Sequence, residues 1–153
     1  MLSNLLGERL LLTLWVGSLL AIGYIAVPMA FANLGDVVLA GNYAGHLFSA
    51  VNILGLGCGS ILLISKMIVH GKQVIGLWRF WLVIVMVLLT LVFNFYLQPE
   101  IQIVKNIIHS GDDSVVGQFD LLHSVSKNLY IVLSLLGLAL VVSTDKKTSE
   151  VRT

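Results

Sequence analysis

Four long apolar stretches alternate with short polar segments along the 153-residue chain. They run from about residue 10 to 31, 43 to 67, 78 to 97 and 121 to 142. A bilayer core about 30 Å thick requires roughly 20 apolar residues in a helix, and each stretch meets that length. The stretches lack the alternation that strands or a transmembrane barrel would show. The pattern therefore predicts an all-α, polytopic membrane protein with a four-transmembrane-helix bundle.

The composition supports lipid as the surroundings of this chain. Hydrophobic residues make up 58% of it and charged residues 11%, whereas soluble domains carry roughly 25% charged residues. So few charges cannot cover an apolar core with a solvated surface. The net charge of +1 produces no field that would attract nucleic acid. We expect the lipid bilayer as a partner and no nucleic acid.

Lys and Arg residues are unevenly distributed over the segments that flank the four stretches. The amino-terminal segment, the second connection and the carboxy-terminal segment hold most of them, and the first connection holds none. The positive-inside rule then places both termini in the cytoplasm. We expect the protein to lie in the inner (plasma) membrane of the cell. Residues 1–144 form a single transmembrane domain in this interpretation, and residues 145–153 form a polar cytoplasmic tail.

Two segments allow alternative interpretations. Ala30-Phe31-Ala32 resembles a signal-peptidase site, but the preceding apolar run exceeds the roughly 7–15 residues of a signal core, so we expect the first span to be retained. After the third stretch, five aliphatic residues share one helical face, which favours a short amphipathic helix on the outer membrane surface. These residues are Ile101, Ile103, Val104, Ile107 and Ile108. A helical extension of span three beyond a kink at Pro99 explains them equally well.

Polar side chains gather in the outer half of the predicted bundle. Polar groups in hydrocarbon usually face the bundle interior and find partners there. We therefore predict an outward-facing intramembrane polar pocket. Its lining residues are His46, Asn52, Asn94, His123, Ser126, Lys127 and Asn128. The alternative is that these groups only form interhelical hydrogen bonds that stabilise the bundle.

Two histidines raise the possibility of a bound haem or metal ion. His46 and His123 lie on different spans at similar predicted depth, where they can hold a haem between helices. Together with Cys58 or a methionine they can instead hold a metal ion. No C-x-x-C or H-E-x-x-H spacing supports either group, and no G-x-S-x-G motif indicates a nucleophile. We expect no cofactor and no enzymatic activity, and keep a membrane redox protein as an alternative.

Small residues predict close helix contacts. Gly55 and Gly59 form a G-x-x-x-G pattern in span two, and Gly17 and Ala21 form a similar face in span one. Such faces let helix backbones approach closely. The pattern is compatible with contacts within one chain or between chains. A homo-oligomer, or a structural role in a larger membrane complex, therefore remains a further alternative.

Short motifs spread over nearly the whole chain support a family resemblance. They are Leu14-Trp15-Val16-Gly17 with Pro28 and Phe31, Phe48 with Val51-Asn52-Ile53-Leu54, Asn94-Phe95-Tyr96-Leu97-Gln98-Pro99, and Phe119 with His123 and Ser126. In these motifs the chain resembles the transmembrane protein 205-like family, whose bacterial members carry an uncharacterised domain, domain of unknown function 4149. Tyr96 and Gln98 stand where the family pattern has Trp and Glu, and Lys127 departs from it.

The resemblance implies a four-span helical membrane protein without an established enzymatic activity. Family members are associated with export or resistance functions, so the resemblance implies transport by association only. Our first functional prediction is a protein of small-solute export, or an accessory membrane subunit, that uses the predicted polar pocket.

Overall fold

The computed structural model describes residues 2–111 and 113–143, and this part of the chain consists of helices and short turns. Four helical segments are long and apolar enough to cross a membrane. They are Leu6–Asn33, Val37–Gly76, Trp78–His109 and Val116–Val142. The prediction of an all-α, four-span bundle is confirmed. We call the end with the 33–37 turn the outer end, following the orientation predicted from charge, and the opposite end the inner end.

The helices extend beyond the apolar stretches at nearly every end. In chain order they are α1 (Leu2–Ala21), a π-helical turn (Ile22–Ala26), α2 (Val27–Asn33), α3 (Val37–His70), a 3₁₀ turn (Gly71–Gly76), α4 (Trp78–Val92), a second π-helical turn (Phe93–Leu97), α5 (Gln98–His109), a 3₁₀ turn (Asp113–Val115) and α6 (Val116–Val142). Polar terminal turns therefore add to each span. Most of the predicted tail lies outside the described residues.

The start and the end of α3 follow from local chemistry. Gly35 has a φ of 66°, which glycine adopts without strain, and it turns the chain back into the bundle. Asp36 then caps α3, since its carboxylate accepts a hydrogen bond of 2.7 Å from the Val38 backbone N–H. At the inner end Gly71, with a φ of 50°, ends the helix. These signals fix the lengths of the two connections around α3.

Spans one and three contain the same helix-bending feature, a π turn followed by a proline. Each contains a five-residue π turn, 22–26 or 93–97, that ends two positions before a proline, Pro28 or Pro99. Proline has no N–H and its ring clashes with the carbonyl four residues earlier, so the preceding turn widens. The residue after each π turn accordingly donates its N–H to the carbonyl five residues earlier.

The helix of span three continues through its bend. The backbone stays helical from the second π turn into α5, so residues 78–109 form one bent helix. The extension of span three beyond Pro99 is therefore the correct interpretation of the segment after the third stretch. The aliphatic face of α5 turns Val104 into the protein, where its side chain is buried.

The matching bends belong to a wider correspondence between the two halves of the chain. When the sequence is aligned on the two prolines, buried residues of α1 coincide with buried residues of α4. The pairs are Leu12 with Val83, Trp15 with Met86, and Leu19 with Thr90. In α3 and α6 the same alignment matches Gly55 with Ser126, Gly59 with Tyr130, and Leu62 with Leu133. Two helical hairpins of similar design thus make up the described bundle.

The bundle is closed by contacts around its perimeter. Both α1 and α4 pack against α3 and α6, so α3 and α6 lie across the bundle from each other. The G-x-x-x-G face of α3 lies inside this core: a Cβ at Gly55 would lie 2.3 Å from Nε1 of Trp15, and one at Gly59 would lie 2.5 Å from Cγ2 of Val87. This face is therefore filled within the chain and does not offer a surface to another protein.

The small face predicted on span one behaves differently. Gly17 and Ala21 are exposed on the outside of the bundle, and no described side chain lies within 4 Å of a Cβ built at Gly17. These two residues do not pack helices together within the described chain. Their predicted packing role stays a prediction, for contacts with another chain.

Candidate functional site: an outer groove between α3 and the bend of span three

A groove of about 450 Å³ opens at the outer end of the bundle. It lies between the outer part of α3 and the bent part of span three. Its lining residues are Asn42, Gly45, His46, Ser49, Asn94, Phe95, Gln98, Pro99 and Gln102. Most of them carry hydrogen-bonding side chains, and none is Asp, Glu, Lys or Arg. The groove is therefore polar without a permanent charge of its own.

The amide side chains of span three share one side of the bent helix. Asn94, Gln98 and Gln102 recur every four residues, a spacing that places side chains on one helical face. All three line the groove although the π turn and Pro99 lie among them. The bend thus keeps three amides directed toward α3.

Two glycines let α5 approach α3 at the outer edge of the groove. A Cβ at Gly45 would lie 2.9 Å from Nε2 of Gln102, and one at Gly41 would lie 2.9 Å from Nζ of Lys105. The ammonium of Lys105 donates a hydrogen bond of 2.7 Å to Oδ1 of Asn42. This charged hydrogen bond fastens α5 to α3 and closes the outer rim.

Three aromatic rings lie behind the groove, toward the centre of the bundle. We call Phe48 of α3, Phe93 of the second π turn and Tyr130 of α6 the aromatic cluster. The ring centroid of Phe48 lies 5.1 Å from that of Tyr130 and 5.9 Å from that of Phe93. Ring pairs at such distances pack favourably beyond their area burial. The cluster adjoins the groove along the chain, because Phe48 and Phe93 directly precede the groove residues Ser49 and Asn94.

The tyrosine of this cluster is also tied to span one. Its hydroxyl donates a buried hydrogen bond of 2.6 Å to the backbone carbonyl of Leu19, just before the first π turn. The ring also occupies the space beside Gly23, where a Cβ would lie 2.2 Å from Cε1 of Tyr130. Glycine in the first π turn is therefore required for this ring position.

Two buried polar side chains near the aromatic cluster have no hydrogen-bond partner within the described residues. They are the Nδ2 of Asn52, which is 2% exposed as a residue, and the Oγ of Ser126, which is 7% exposed. Asn52 lies one helical turn inward of Phe48, and Ser126 lies one turn outward of Tyr130. Buried polar groups in native proteins are normally satisfied by protein, water or ligand.

The structure divides the predicted pocket residues into three groups. His46 and Asn94 meet in the groove. Asn52 and Ser126 are buried outside its lining. The remaining three, His123, Lys127 and Asn128, are exposed on α6. A single pocket lined by the whole set is therefore not present in the described chain, and the binding role of each residue stays a prediction.

The two candidate haem or metal ligands have different surroundings. His46 lines the groove on α3, whereas the ring of His123 stacks on Phe119 of α6, with centroids 5.9 Å apart. Across residues 2–111 and 113–143, no group of three or more His, Cys, Asp or Glu residues could hold a metal ion. Cys58 is buried in the hydrophobic core. The haem or metal alternative therefore rests on the sequence pattern alone.

A charged cluster at the inner end escaped the sequence analysis. Oε1 of Glu8 lies 2.9 Å from Nζ of Lys66 and 3.0 Å from Nη2 of Arg79. Both cations are buried, with 4% and 6% of their surface exposed. Arg79 also donates a hydrogen bond to the backbone carbonyl of Ser143. We call these four residues the inner clasp, because they join α1, α3, α4 and the end of α6.

In the sequence, Lys66 and Arg79 served only as positive charges of the second connection, from which the orientation of the chain in the membrane is predicted. The available signal was Glu8, an acidic residue at the start of an apolar span with no other acidic residue near it. The groove residues Asn42, Ser49, Gln98 and Gln102 were also absent from the predicted lining. Their signal was the four-residue spacing of the amides, which becomes visible only when the helix is continued past Pro99.

Comparison with known proteins gives one family match. No curated protein and no solved structure is significantly similar to the chain. A family model described as "Domain of unknown function (DUF4149)" matches residues 10–110. The matched part contains the whole groove and both prolines of the bends, whereas α6 lies outside it. Because the match covers more than half of the chain, the protein belongs to this family.

Proposed function

We propose that this integral membrane protein binds a small, uncharged, polar solute in the outer groove and serves its export across the cytoplasmic membrane. In this proposal both termini lie in the cytoplasm, and the groove opens on the opposite side. The observation that carries the proposal is the convergence of six hydrogen-bonding side chains on one open groove at the outer end. They are Asn42, His46, Ser49, Asn94, Gln98 and Gln102.

The chemistry of the lining supports a neutral ligand. Amides, a hydroxyl and an imidazole supply both donors and acceptors, so they can bind hydroxyl, amide or urea-like groups in either sense. The lining itself offers a charged solute no opposite formal charge, and the ammonium of Lys105 at the rim is already hydrogen-bonded to Asn42, so transfer of a charge from water into this site is costly. The volume of about 450 Å³ falls in the range of small-molecule sites, about 300–1,000 Å³.

The membrane position of the groove also supports a functional role. Ser49 and Asn94 lie inside the apolar stretches of spans two and three, where polar residues are costly and often mark substrate pathways. The alternative is interhelical hydrogen bonding between these side chains. Among the described groove residues, however, the only side chain–side chain hydrogen bond involves Asn42 at the rim. Polar groups that do not pair with each other are available to a ligand.

A transport assay on purified protein tests the proposal. Proteoliposomes are loaded with glycerol or urea, and efflux is followed by stopped-flow light scattering. We expect Asn94→Leu to slow efflux about tenfold, the effect of losing one ligand hydrogen bond worth roughly 1.4 kcal/mol. Asn106→Leu is the matched control, because Asn106 is an exposed amide on α5 outside the groove.

Two results would contradict the proposal. One is wild-type efflux no faster than that of empty liposomes for both solutes. The other is an equal effect of Asn94→Leu and Asn106→Leu, because the groove amide would then act no differently from a surface amide. An equal or greater efflux of glutamate would overturn the assignment to uncharged solutes.

A further inference from the structure

The buried side-chain amide of Asn52 has a donor without an acceptor among the described residues. Its Nδ2 has no hydrogen-bond partner within the described residues, and the residue is 2% exposed. An unsatisfied buried donor is destabilising, and native proteins normally bind water or a ligand at such groups. An oxygen that accepts a hydrogen bond, from water or from a ligand, would therefore satisfy this donor.

Asn52 continues the polar side of α3 that lines the groove. Gly45, Ser49 and Asn52 follow the spacing of four and then three residues that keeps side chains on one helical face. Gly45 and Ser49 line the groove, and Asn52 does not. With a rise of about 1.5 Å per residue, Asn52 lies roughly 4.5 Å deeper in the bundle than Ser49.

Phe48 of the aromatic cluster lies on α3 at a depth between the rim of the groove and Asn52. Phe48 lies one helical turn outward of Asn52 on α3, and its ring packs edge-on against Tyr130 at 5.1 Å. Phe93 closes the triangle, with its ring 6.1 Å from Tyr130. Phe93 is also the first residue of the second π turn, so the cluster is connected directly to the bend of span three.

We propose that Asn52 is a second, deeper binding position for the ligand of the groove, and that the ring of Phe48 closes the passage between the two positions. Asn52 Nδ2 donates to an oxygen of the bound solute, or of water that precedes it. Displacement of the Phe48 ring connects the groove to Asn52. This inference rests on the proposed function, because it extends the same groove inward.

Cysteine accessibility tests the two positions separately. The full chain carries Cys58→Ala, which removes its one natural cysteine, and is placed in lipid nanodiscs so that both membrane faces are accessible. The probe is methyl methanethiosulfonate, a small uncharged reagent that reacts with the thiolate, which forms where water reaches the thiol. Single cysteines replace Ser49 in the groove, Asn52 at the deeper position and, as a control, the neighbouring Ile53. Ile53 is 63% exposed on the outside of the bundle, where it faces lipid.

We expect Ser49→Cys to react fastest and Asn52→Cys about tenfold more slowly. Adding Phe48→Ala should accelerate modification of Asn52→Cys at least tenfold and leave Ser49→Cys within twofold. Ile53→Cys should stay unmodified in both backgrounds. Phe48→Leu is the second opening variant if Phe48→Ala fails to give a single monodisperse peak in gel filtration.

The outcomes separate this inference from the proposed function. Reaction of Ser49→Cys without reaction of Asn52→Cys in any background overturns the deeper position and leaves the groove intact. Failure of Ser49→Cys to react overturns the groove as well. Equal rates for Ser49→Cys and Asn52→Cys without a Phe48 substitution overturn the closure by Phe48.

Discussion

At the inner end of the bundle one carboxylate, that of Glu8, holds two buried cations, whereas at the outer end neutral amides line an open groove. The inner clasp joins residues from α1, α3 and α4 and reaches the last turn of α6. At the outer rim, by contrast, the ammonium of Lys105 joins α5 to α3 through hydrogen bonds to Oδ1 of Asn42 and to the Val38 carbonyl.

The difference teaches where this bundle can change shape. Both π turns and both prolines lie in the outer half, where the helices are already bent and their hydrogen-bond ladders shifted. Buried ion pairs lose much of their energy when one partner moves away, so they resist displacement. We therefore expect any change of shape in the outer half to leave the inner end in place.

The largest effect should come from breaking the inner clasp. Glu8→Gln removes the carboxylate that pairs with the buried Lys66 at 2.9 Å, and breaking a buried ion pair by removing one partner costs about 3–5 kcal/mol. We expect thermal unfolding in detergent to shift down by several degrees or more. Glu100→Gln, the same substitution near the groove, is the control and should change stability by less than about 0.5 kcal/mol. Similar shifts for both variants would contradict a special role of the inner end.

A pair of glycine substitutions sharpens the comparison further. Gly55→Ala places a methyl group against the indole of the buried Trp15, at 2.3 Å before relaxation, and should cost about 1–3 kcal/mol. Gly45→Ala meets the ends of two long side chains, Nε2 of Gln102 at 2.9 Å and Oε1 of Gln98 at 3.9 Å. Alanine also favours the helix by up to about 1 kcal/mol over glycine. Gly45→Ala should therefore unfold at or above the wild-type temperature, and equal losses for both variants would disprove the contrast.

Removing a single hydroxyl should have a smaller effect. Tyr130→Phe deletes the donor to the Leu19 carbonyl and should lower the free energy of unfolding by about 1 kcal/mol. Tyr24→Phe is the control, because Tyr24 is half-exposed and its ring only borders Tyr130. Thermal unfolding of the three proteins side by side measures the difference. A larger loss in Tyr24→Phe would contradict the assigned hydrogen bond.

The smallest effect on stability should come from the outer rim. Lys105→Met removes the hydrogen bond to Asn42 but keeps the aliphatic stem against α3, so the loss should stay near about 0.5 kcal/mol. Backbone amides of α5 should nevertheless exchange with deuterium several-fold faster. Lys72→Met, at an exposed lysine of the inner end, should leave this exchange unchanged. Uniformly faster exchange across all helices would contradict a local fastening at the rim.

Much of the architecture could be predicted because length and hydropathy alone determine where spans lie. Each apolar stretch became one membrane-spanning helix. Pro99 was ambiguous, since a proline can end a helix or bend it, and only the neighbouring turns decide which occurs. The π turn before Pro99 accommodated the ring, so the helix continued to His109.

The site was harder to predict because hydropathy gives the depth of a residue but not the rotation of its helix. Ser126 is buried while its neighbours Lys127 and Asn128 are exposed, although all three share one predicted depth. The structure places His46 and Asn94 in one groove, and each of them stands out in an apolar run, but their binding role stays a prediction. Glu8 was missed because its partners Lys66 and Arg79 lie on other helices, and no local pattern connects them.

The matching bends of spans one and three have a consequence for how the molecule can use its own symmetry. The two spans run in the same direction, and α1 and α4 each pack against both α3 and α6, the arrangement expected of two hairpins related by a half turn about an axis perpendicular to the membrane. Aligned on the prolines, Glu8 then corresponds to Arg79. In a dimer of identical hairpins a residue near the axis meets its own copy, and a charge there would face a like charge. Because both hairpins belong to one polypeptide, the two equivalent positions can carry opposite charges. Here they are Glu8 and Arg79, and their ion pair joins α1 to α4 at the inner end.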